Sequence, residues 1–535
     1  MDRIRWTKDA FLIILVVIVL GGEILSKRAC LKKILIYTYC YGIAAHGIMM
    51  FNKISWHDDL ALGRLLSFET ATGLGRWFRA VLAYVVAVMM NGTNLSLPLF
   101  HGLVSIFFIA LSVFILIQIF HIESVWFQSI LCGLFVTYPV VTGTFGFMFT
   151  APYYFFALFL AVFAVYFELL RNDTLSFAAS SICICLSLGI YQAYFSVAVS
   201  CFVIIMITGI VDDSLESIKS IFLQGIRYIL ICVFGLVEYY IIWKVFLKIF
   251  NISVNSHQGF NRIGLSGIGN YIKGIGRAYS IFFMRSSNNG CDLFPMRGAM
   301  LLEWLVILIC IGISLKIIIR KIRKEFLKGL ILACLIGLLP LCFNLISLIC
   351  AASPGSYVHT LMLYANTILY VYCIWLLQYT MRKKIRLANK GCWVIATLMA
   401  LLVIMNVYFA NACYLKAEIY HNQTMNEMTV LVTRVKSVEQ YKDEMPVALI
   451  MTGDVDSTRT NNHAFDDIAI IPFGTRLDPY YMKRNVINYL NIWCGFSPEF
   501  VDSKYFENMK EVEEMPCYPD DGSIRIIENT VVIKM

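Results

Sequence analysis

The sequence has few charged residues. Asp, Glu, Lys and Arg make up 15% of its 535 residues, whereas a typical soluble domain has roughly 25%. Hydrophobic residues make up 59%, and apolar runs recur whose length, about 18–22 residues, is what a helix needs to cross a bilayer core. Because backbone polar groups inside a bilayer must be satisfied within the segment, we expect these runs to be helices. The composition excludes a soluble globular protein and predicts a polytopic membrane protein.

Several motifs are also missing. The sequence has no Walker motif, which argues against a nucleotide-driven pump, and no HExxH or credible GxSxG motif of a hydrolase. Its net charge of +9 comes from basic residues in short loops, without a basic stripe of interleaved aromatics, so we expect no nucleic-acid partner. Most of the 17 cysteines lie in apolar runs, where they act as small hydrophobic residues. Only Cys494 and Cys517 lie together in a polar segment, where a disulfide is one option.

The apolar runs predict eleven membrane spans. We place them at 34–52, 96–120, 125–144, 148–169, 176–192, 194–210, 228–247, 299–319, 327–350, 361–381 and 391–411. An earlier run at 10–25 is short and carries Glu23, so it can lie in the interface, re-enter the membrane or form a twelfth span. No small-residue cleavage site follows this run, and we therefore do not expect a cleaved signal peptide.

The distribution of Lys and Arg predicts the orientation. With these spans, the strongly basic loops 27–33, 320–328 and 382–390 fall on one side, which the charge rule assigns to the cytoplasm. The weaker loops 171–175 and 211–227 fall on the same side. The segments that then face outward are 53–95, 248–298, 351–360 and 412–535. Counting Arg76–Met90 as a span would break this pattern, so we predict that it lies along the outer membrane surface.

The chain changes character near residue 412, where charge density rises and long apolar runs stop. The pattern beyond this point predicts helices at 415–438 and 478–492 and strands at Val447–Met451, Ile468–Ile471, Ile524–Ile527 and Val531–Lys534. The predicted fold is mainly α: a polytopic helical membrane domain over 1–411, with external loops 53–95 and 248–298. A small extracytoplasmic α/β domain over 412–535 follows it.

The acidic pair Asp58–Asp59 is the most informative candidate for chemistry. The pair lies in SWHDDLALGR, shortly after the first outward-going span. Adjacent carboxylates at a membrane surface repel each other, so we expect a partner or a function that offsets this repulsion. One carboxylate can act as a base while the other holds a cation or orients a partner. The alternative is that the pair caps the helix that follows.

Basic residues in the outward segments form a second group of candidates. Arg64, Arg76 and Arg79 follow the acidic pair, and an arginine can hold a phosphate through two hydrogen bonds. The loop 248–298 adds His257, Arg262, Lys273, Arg277, Arg285 and Arg297. Outward loops are normally poor in basic residues, so this excess indicates either an anionic ligand or contacts with lipid headgroups. In GIYQAY, the polar groups of Gln192 and Tyr194 can line a cavity or bond between helices.

These elements, in this order, resemble the bacterial and phage type-II glucosyltransferases of serotype conversion (the Gtr family), which belong to the GT-C class. The resemblance rests on the acidic pair in SWHDDLALGR, on Gly75–Arg76–Trp77 before an external apolar helix, and on hairpins carrying Tyr138–Pro139 and Gln192–Ala193–Tyr194. The closing segment YPDDGSIRIIENTVVIKM is also similar to the family's end. The expected arginine near 351–366 is missing, and His359 or Tyr357 are the available substitutes.

The resemblance implies an enzyme of the outer face of the bacterial plasma membrane. It implies transfer of a hexosyl unit, expected to be glucosyl, from a polyprenyl-phosphate donor to a surface glycan or lipid-linked glycan acceptor. The implied catalytic residues are Asp58 and Asp59, and Arg64 and Arg76 would bind the donor phosphate. The implied substrate-binding residues are His57, Trp77, Gln192, Tyr194, Arg262 and Arg277. Some GT-C enzymes need a divalent cation such as Mg²⁺ or Mn²⁺ and others do not; here Asp58 and Asp59 would hold it.

Two other functions fit many spans and basic external loops. A transporter or flippase for lipid-linked sugars would need them too, but the sequence has no internal repeat and no paired broken helices. A glycan polymerase or ligase would depend on arginines of a large external loop rather than on an acidic pair after the first span. Glycosyl transfer remains the leading hypothesis.

Overall fold

A computed structural model describes residues 28–54, 57–62, 67–90, 95–255, 267–285, 296–351, 358–383, 386–452 and 482–535. The run at 10–25, the predicted strand Ile468–Ile471 and the site candidates Arg64 and Arg262 lie outside the described residues, as do His257 and Tyr357.

The membrane domain is built from helices joined by short connections. They are α1 (Arg28–Phe51), α2 (Phe68–Gly73), α3 (Trp77–Met89), α4 (Pro98–Ile119), α5 (Val125–Thr137), α6 (Pro139–Phe145), α7 (Ala151–Arg171), α8 (Thr174–Ile190), α9 (Phe195–Val211), α10 (Ile218–Ile249), α11 (Ile268–Met284), α12 (Arg297–Lys324), α13 (Phe326–Phe343), α14 (Ile346–Ala351), α15 (Ile368–Arg382) and α16 (Arg386–Lys436). Short 3₁₀ helices occur at His57–Ala61, Gln192–Tyr194 and Thr360–Thr367.

Among the described residues, nine helical segments are long and apolar enough to cross a bilayer, and α5 with α6 forms a tenth unit that is bent by 41°. The bend falls at Pro139, which lacks an N–H group, and the preceding Tyr138 has extended backbone angles for the same steric reason. The remaining predicted span, 176–192, corresponds to the apolar helix α8, which has 17 residues. The predicted mainly helical fold with about eleven spans is therefore confirmed.

Helix α3 occupies the stretch predicted to lie along the membrane surface. Its 13 residues rise by only about 20 Å, which is short of the roughly 30 Å of hydrocarbon. The helix starts after Gly75, whose φ of +75° suits a residue without a side chain. It packs against α8, where Gly189 gives room for the indole ring of Trp77, because a Cβ there would lie 2.8 Å from that ring.

The connections predicted to share one side do meet at one end of the bundle. Lys321 forms an ion pair with Asp213, and Lys328 Nζ donates to the carbonyl of Glu216 over 2.6 Å. Arg382 pairs with Glu123 at 3.0 Å. Asp212, in turn, lies close enough to Arg382 and Lys383 to interact electrostatically. The loops around 121–124, 211–217, 320–328 and 382–383 therefore lie together, as the charge pattern predicts.

The segments predicted to face outward meet at another set of contacts. The Trp243 indole near the end of α10 donates to the carbonyl of Thr72 over 2.8 Å, and Asn255 N–H donates to the carbonyl of Gly73 over 3.0 Å. These bonds attach the region after α10 to the segment between α1 and α4. Helix α11 packs on α14, where Gly274 lets the two backbones approach closely.

The C-terminal region contains a four-stranded sheet. Its elements are β1 (Val447–Ile450), α17 (Met482–Asn488), β2 (Phe500–Val501), α18 (Lys504–Glu507), α19 (Lys510–Glu513), β3 (Ile524–Ile527) and β4 (Thr530–Lys534). The strand order is β2-β1-β4-β3, in which β1 pairs in parallel with β2 and β4, and β3 pairs antiparallel with β4. The predicted strands that are described are present, whereas the two-residue β2 was missed. Cys494 and Cys517 are both free thiols.

A single helix connects the two regions. Helix α16 has 51 residues and would extend about 75 Å. It passes through residue 411, so the division of the chain at that position remains a prediction. Its last part enters the C-terminal core, where Met428, Leu431 and Val435 are buried with β1 and β4.

Candidate active site

The two carboxylates of the acidic pair have different partners. Both belong to the 3₁₀ helix His57–Ala61, in which successive side chains point about 120° apart. Asp59 is fully buried in an ion pair with Lys53, and Lys53 Nζ also donates to Ser96 Oγ over 3.1 Å. Asp58 is about one quarter exposed and accepts a hydrogen bond of 2.7 Å from Arg484. Asp59 therefore anchors the 3₁₀ helix, and Asp58 is the more accessible carboxylate.

This divergence bears on a divalent cation. Two basic side chains from distant parts of the chain each pair with one carboxylate: Lys53 with Asp59, and Arg484 with Asp58. Within the described residues, no group of three or more His, Cys, Asp or Glu side chains gathers at a point where a metal ion could be held. Within the described residues, each carboxylate of the pair is thus engaged by a cation of the protein.

Arg76 lies within electrostatic reach of Asp58, and Arg79 follows Arg76 by about one helical turn; tyrosine rings lie near both arginines. Arg76 precedes α3, donates to Tyr154 Oη over 3.2 Å and lies 4.9 Å from the centroid of the Tyr191 ring. The rings of Tyr154 and Tyr191 are stacked with their centroids 4.3 Å apart. Asp58 is close enough to Arg76 to act on it electrostatically. We call Arg76 and Arg79 together the arginine pair.

Arg79 lies on the same face of α3, because residues three apart on a helix are neighbours. It is 2% exposed, and its guanidinium lies 5.9 Å from the centroid of the Tyr153 ring. Burial lowers the pKa of Arg79, and the neighbouring charge of Arg76 lowers it further. Buried nitrogens of both guanidinium groups, Nε of each and Nη1 of Arg79, have no hydrogen-bond partner among the described residues. Nor does either arginine form an ion pair with a carboxylate there.

A largely apolar cavity of about 470 Å³ lies near Arg76, because Tyr239, one of its lining residues, is within electrostatic reach of Arg76. Gln192 forms the boundary: its Nε2 donates to the carbonyl of Leu74 and to Tyr239 Oη, both over 3.0 Å. The cavity continues along Tyr239 and Trp243 of α10 to Leu345–Ile349. Lys244 lies at its wall, above the rings of Tyr240 and Trp243. Gln192 and Tyr239 thus connect the cavity to the surroundings of Arg76.

The other predicted site residues lie at different distances from this centre. Trp77 is buried against Phe78 and Phe246, with a packing role. Tyr194 is buried against Tyr191 and Tyr364 and does not line the cavity. Arg277 is partly buried on α11 and lies near Cys350 of α14, next to the residues that line the far wall. The side chain of His57 lies outside the described residues.

An arginine does lie beside the segment 358–367, where the resemblance leads one to expect it. Arg285, at the end of α11, donates to Asn366 Oδ1 over 3.0 Å and to Glu303 Oε1 over 2.6 Å. Tyr370 Oη donates to the other oxygen of Glu303 over 2.7 Å. Arg285 and Glu303 are each 1% exposed. The charge of Arg285 is thus already neutralised by the protein.

Three contributors were missed or undervalued in the sequence. Arg79 could have been selected from its spacing of three residues from Arg76 on one predicted helix. Tyr154 was not among the candidates. Nothing in the sequence pointed to Arg484 as a site residue, because it lies 426 positions from Asp58. It also belongs to a domain to which no chemistry had been assigned.

Comparison with known proteins identifies the family. A family model described as Glucosyl transferase GtrII matches residues 47–372, more than half of the chain. No match was found among curated proteins or solved structures. The matched region contains the acidic pair, the arginine pair and the whole wall of the cavity, and it ends before the C-terminal sheet. The chain belongs to the GtrII glucosyl transferase family.

Proposed function

We propose that this protein transfers a glucosyl unit from a polyprenyl-phosphate donor to a glycan acceptor at the outer face of the bacterial plasma membrane. The observation that carries the proposal is the arginine pair, in which Arg79 is buried and Arg76 is partly buried. Asp58 acts electrostatically on Arg76, and neither arginine forms a carboxylate ion pair among the described residues. Membership of a glucosyl transferase family supports a sugar-transfer reaction over a flippase or a glycan polymerase.

The charge of the arginine pair argues for an anionic substrate group. A buried cation without a counter-charge is costly, because it loses hydration without gaining an ion pair. A phosphate would supply the missing charge and accept hydrogen bonds from both guanidinium groups. Arg76 and Arg79 would then hold the phosphate of the donor, and they would stabilise the charge that grows on it when the sugar leaves.

The cavity argues for the lipid part of the donor. Its wall between α10 and α14 is apolar, and isoprene units gain free energy when they leave water for such a surface. Gln192 and Tyr239 belong to the cavity wall and to the tyrosine cluster around Arg76. A single ligand with a phosphate at the arginine pair and a hydrocarbon chain in the cavity would fit this arrangement.

Asp58 is the proposed catalytic base. Its carboxylate would take the proton of an acceptor hydroxyl while the hydroxyl oxygen forms a bond to the anomeric carbon. The bond from that carbon to the phosphate oxygen breaks, and polyprenyl phosphate leaves with the electron pair. Direct displacement of this kind inverts the anomeric centre. Asp59, buried with Lys53, would hold the 3₁₀ helix in place.

The orientation follows from the charge rule. The end where the basic loops meet would face the cytoplasm, so the acidic pair, the arginine pair and the C-terminal domain would face outward. The acceptor would therefore be a surface glycan or a lipid-linked glycan.

The test uses the full chain in lipid nanodiscs, radiolabelled polyprenyl-phosphate glucose and a surface-glycan acceptor. We expect wild-type protein to move the label to the acceptor and Asp58→Asn to lose activity by about 10²–10⁴-fold, the usual effect of removing a general base. Asp502→Asn, an exposed carboxylate of the C-terminal domain, is the matched control and should retain activity.

Three results would count against the proposal. Wild-type protein that flips the labelled lipid without transferring sugar would support the transporter. Label that accumulates in polymers of the acceptor repeat would support the polymerase. Full activity of Asp58→Asn would remove Asp58 from the reaction.

A further inference from the structure

The C-terminal domain touches the candidate catalytic carboxylate directly, although it lies outside the family match, which ends at residue 372. Arg484 of α17 donates to Asp58 Oδ1 over 2.7 Å. Two residues after Asp58, Leu60 is 2% exposed and belongs to the same apolar cluster as Leu431, Val486 and Leu490. The 3₁₀ helix that carries Asp58 is thus packed into the core of the C-terminal domain.

We propose that the C-terminal domain completes the active site and that Arg484 is a positioning residue for Asp58. This inference rests on the proposed function, in which Asp58 is the base. The hydrogen bond from Arg484 fixes the orientation of the carboxylate, and the positive charge favours its ionised form, which is the form that accepts a proton. The domain therefore contributes to catalysis through this contact.

Several other charged groups face Asp58 and its helix. Arg76, before α3, acts on Asp58 from the membrane domain. Lys53, at the end of the first span, is paired with Asp59, and His101 of α4 lies within electrostatic reach of both members of that pair. Among the described residues of the C-terminal domain, Arg484 donates a hydrogen bond to Asp58, so we expect its substitution to change the behaviour of Asp58.

The ion pair between Arg484 and Asp58 is expected to matter more for the reaction than for the stability of the fold. Both side chains are partly exposed, at 37% for Arg484 and 27% for Asp58, and ion pairs of this exposure contribute little to folding. The packing of Leu60 already attaches the 3₁₀ helix to the domain. Removal of the Arg484 charge should thus leave the fold intact while changing the behaviour of Asp58.

The test compares Arg484→Gln, Arg484→Lys and a matched control, Lys483→Gln, in the nanodisc transfer assay. Lys483 is the neighbouring cation on α17, but its Nζ donates to Ser503 Oγ over 2.7 Å inside the domain. For Arg484→Gln we expect the transfer rate to fall by about 10- to 100-fold, as for other losses of positioning. The acid limb of its pH–rate profile should move upward by about 0.5–1 pH unit, because a carboxylate without its cation protonates more readily.

Arg484→Lys restores the charge and should recover the wild-type pH profile with part of the rate, whereas Lys483→Gln should match wild type in both. Arg484→Gln with an unchanged profile, or with a loss no larger than that of Lys483→Gln, would overturn the inference and leave the proposed function standing. Wild-type protein without transfer activity would overturn both.

Discussion

Two buried arginine sites in this protein differ in how their charge is compensated. Arg285 is neutralised by Glu303 and bonded to Asn366, so α11, α12 and the segment before α15 are joined by a complete charge pair. Arg79 is as deeply buried as Arg285, yet tyrosine rings surround the arginine pair and no carboxylate among the described residues pairs with it. The comparison suggests a distinction that can be tested: the compensated charge of Arg285 joins helices, whereas we propose that the arginine pair binds the donor phosphate.

The largest expected effect concerns Arg285. Replacing it by Met leaves Glu303 buried without its cation, and removing one partner of a buried ion pair typically costs about 3–5 kcal/mol. The double substitution Arg285→Met with Glu303→Leu removes both charges and should recover most of this stability. The midpoint of SDS-induced unfolding in mixed micelles measures both changes. A double variant as unstable as the single one would mean that the pair does more than compensate charge.

The next effect concerns Arg79. Because Arg79→Met removes a buried charge that lacks an ion pair among the described residues, we expect the midpoint of unfolding to stay at or above that of wild type. Transfer activity should nevertheless fall by on the order of 10²-fold, the usual effect of losing one donor to a developing anion. Arg434→Met is a suitable control, since Arg434 bonds the carbonyl of Pro519 within the C-terminal domain. Strong destabilisation of Arg79→Met would mean that Arg79, like Arg285, stabilises the fold, and it would contradict the proposed difference between the two arginine sites.

The sequence predicted most of the fold because each span is encoded locally. A run such as Pro98–Ile119 is apolar throughout, and a bilayer admits few structures other than a helix for it. The closing hairpin was equally visible: Glu528 and Asn529 both have positive φ, as a two-residue turn between β3 and β4 requires. Local patterns of this kind need no knowledge of the rest of the chain.

The site was only partly predictable because its contacts are distant in sequence. Asp58 and Arg76 could be picked out from the sequence as charged residues in a segment predicted to be external. The different roles of Asp58 and Asp59 could not be predicted, because they depend on two contacts of the folded chain. Lys53 pairs with Asp59, and Arg484 of the C-terminal domain pairs with Asp58. Likewise, no sequence pattern states that Glu303 neutralises Arg285 while, among the described residues, no carboxylate forms an ion pair with the arginine pair. Charge compensation is a property of the folded chain.

The most direct test of the central claim is a binding measurement with polyprenyl phosphate, which carries the phosphate and the lipid but no sugar. Its dissociation constant would be measured in nanodiscs for wild type, Arg79→Met and Arg434→Met. We expect saturable binding to wild type and to Arg434→Met, and binding at least about tenfold weaker to Arg79→Met, the loss expected for one charge-assisted contact. Equal dissociation constants for all three proteins would contradict the claim that the arginine pair holds the donor phosphate.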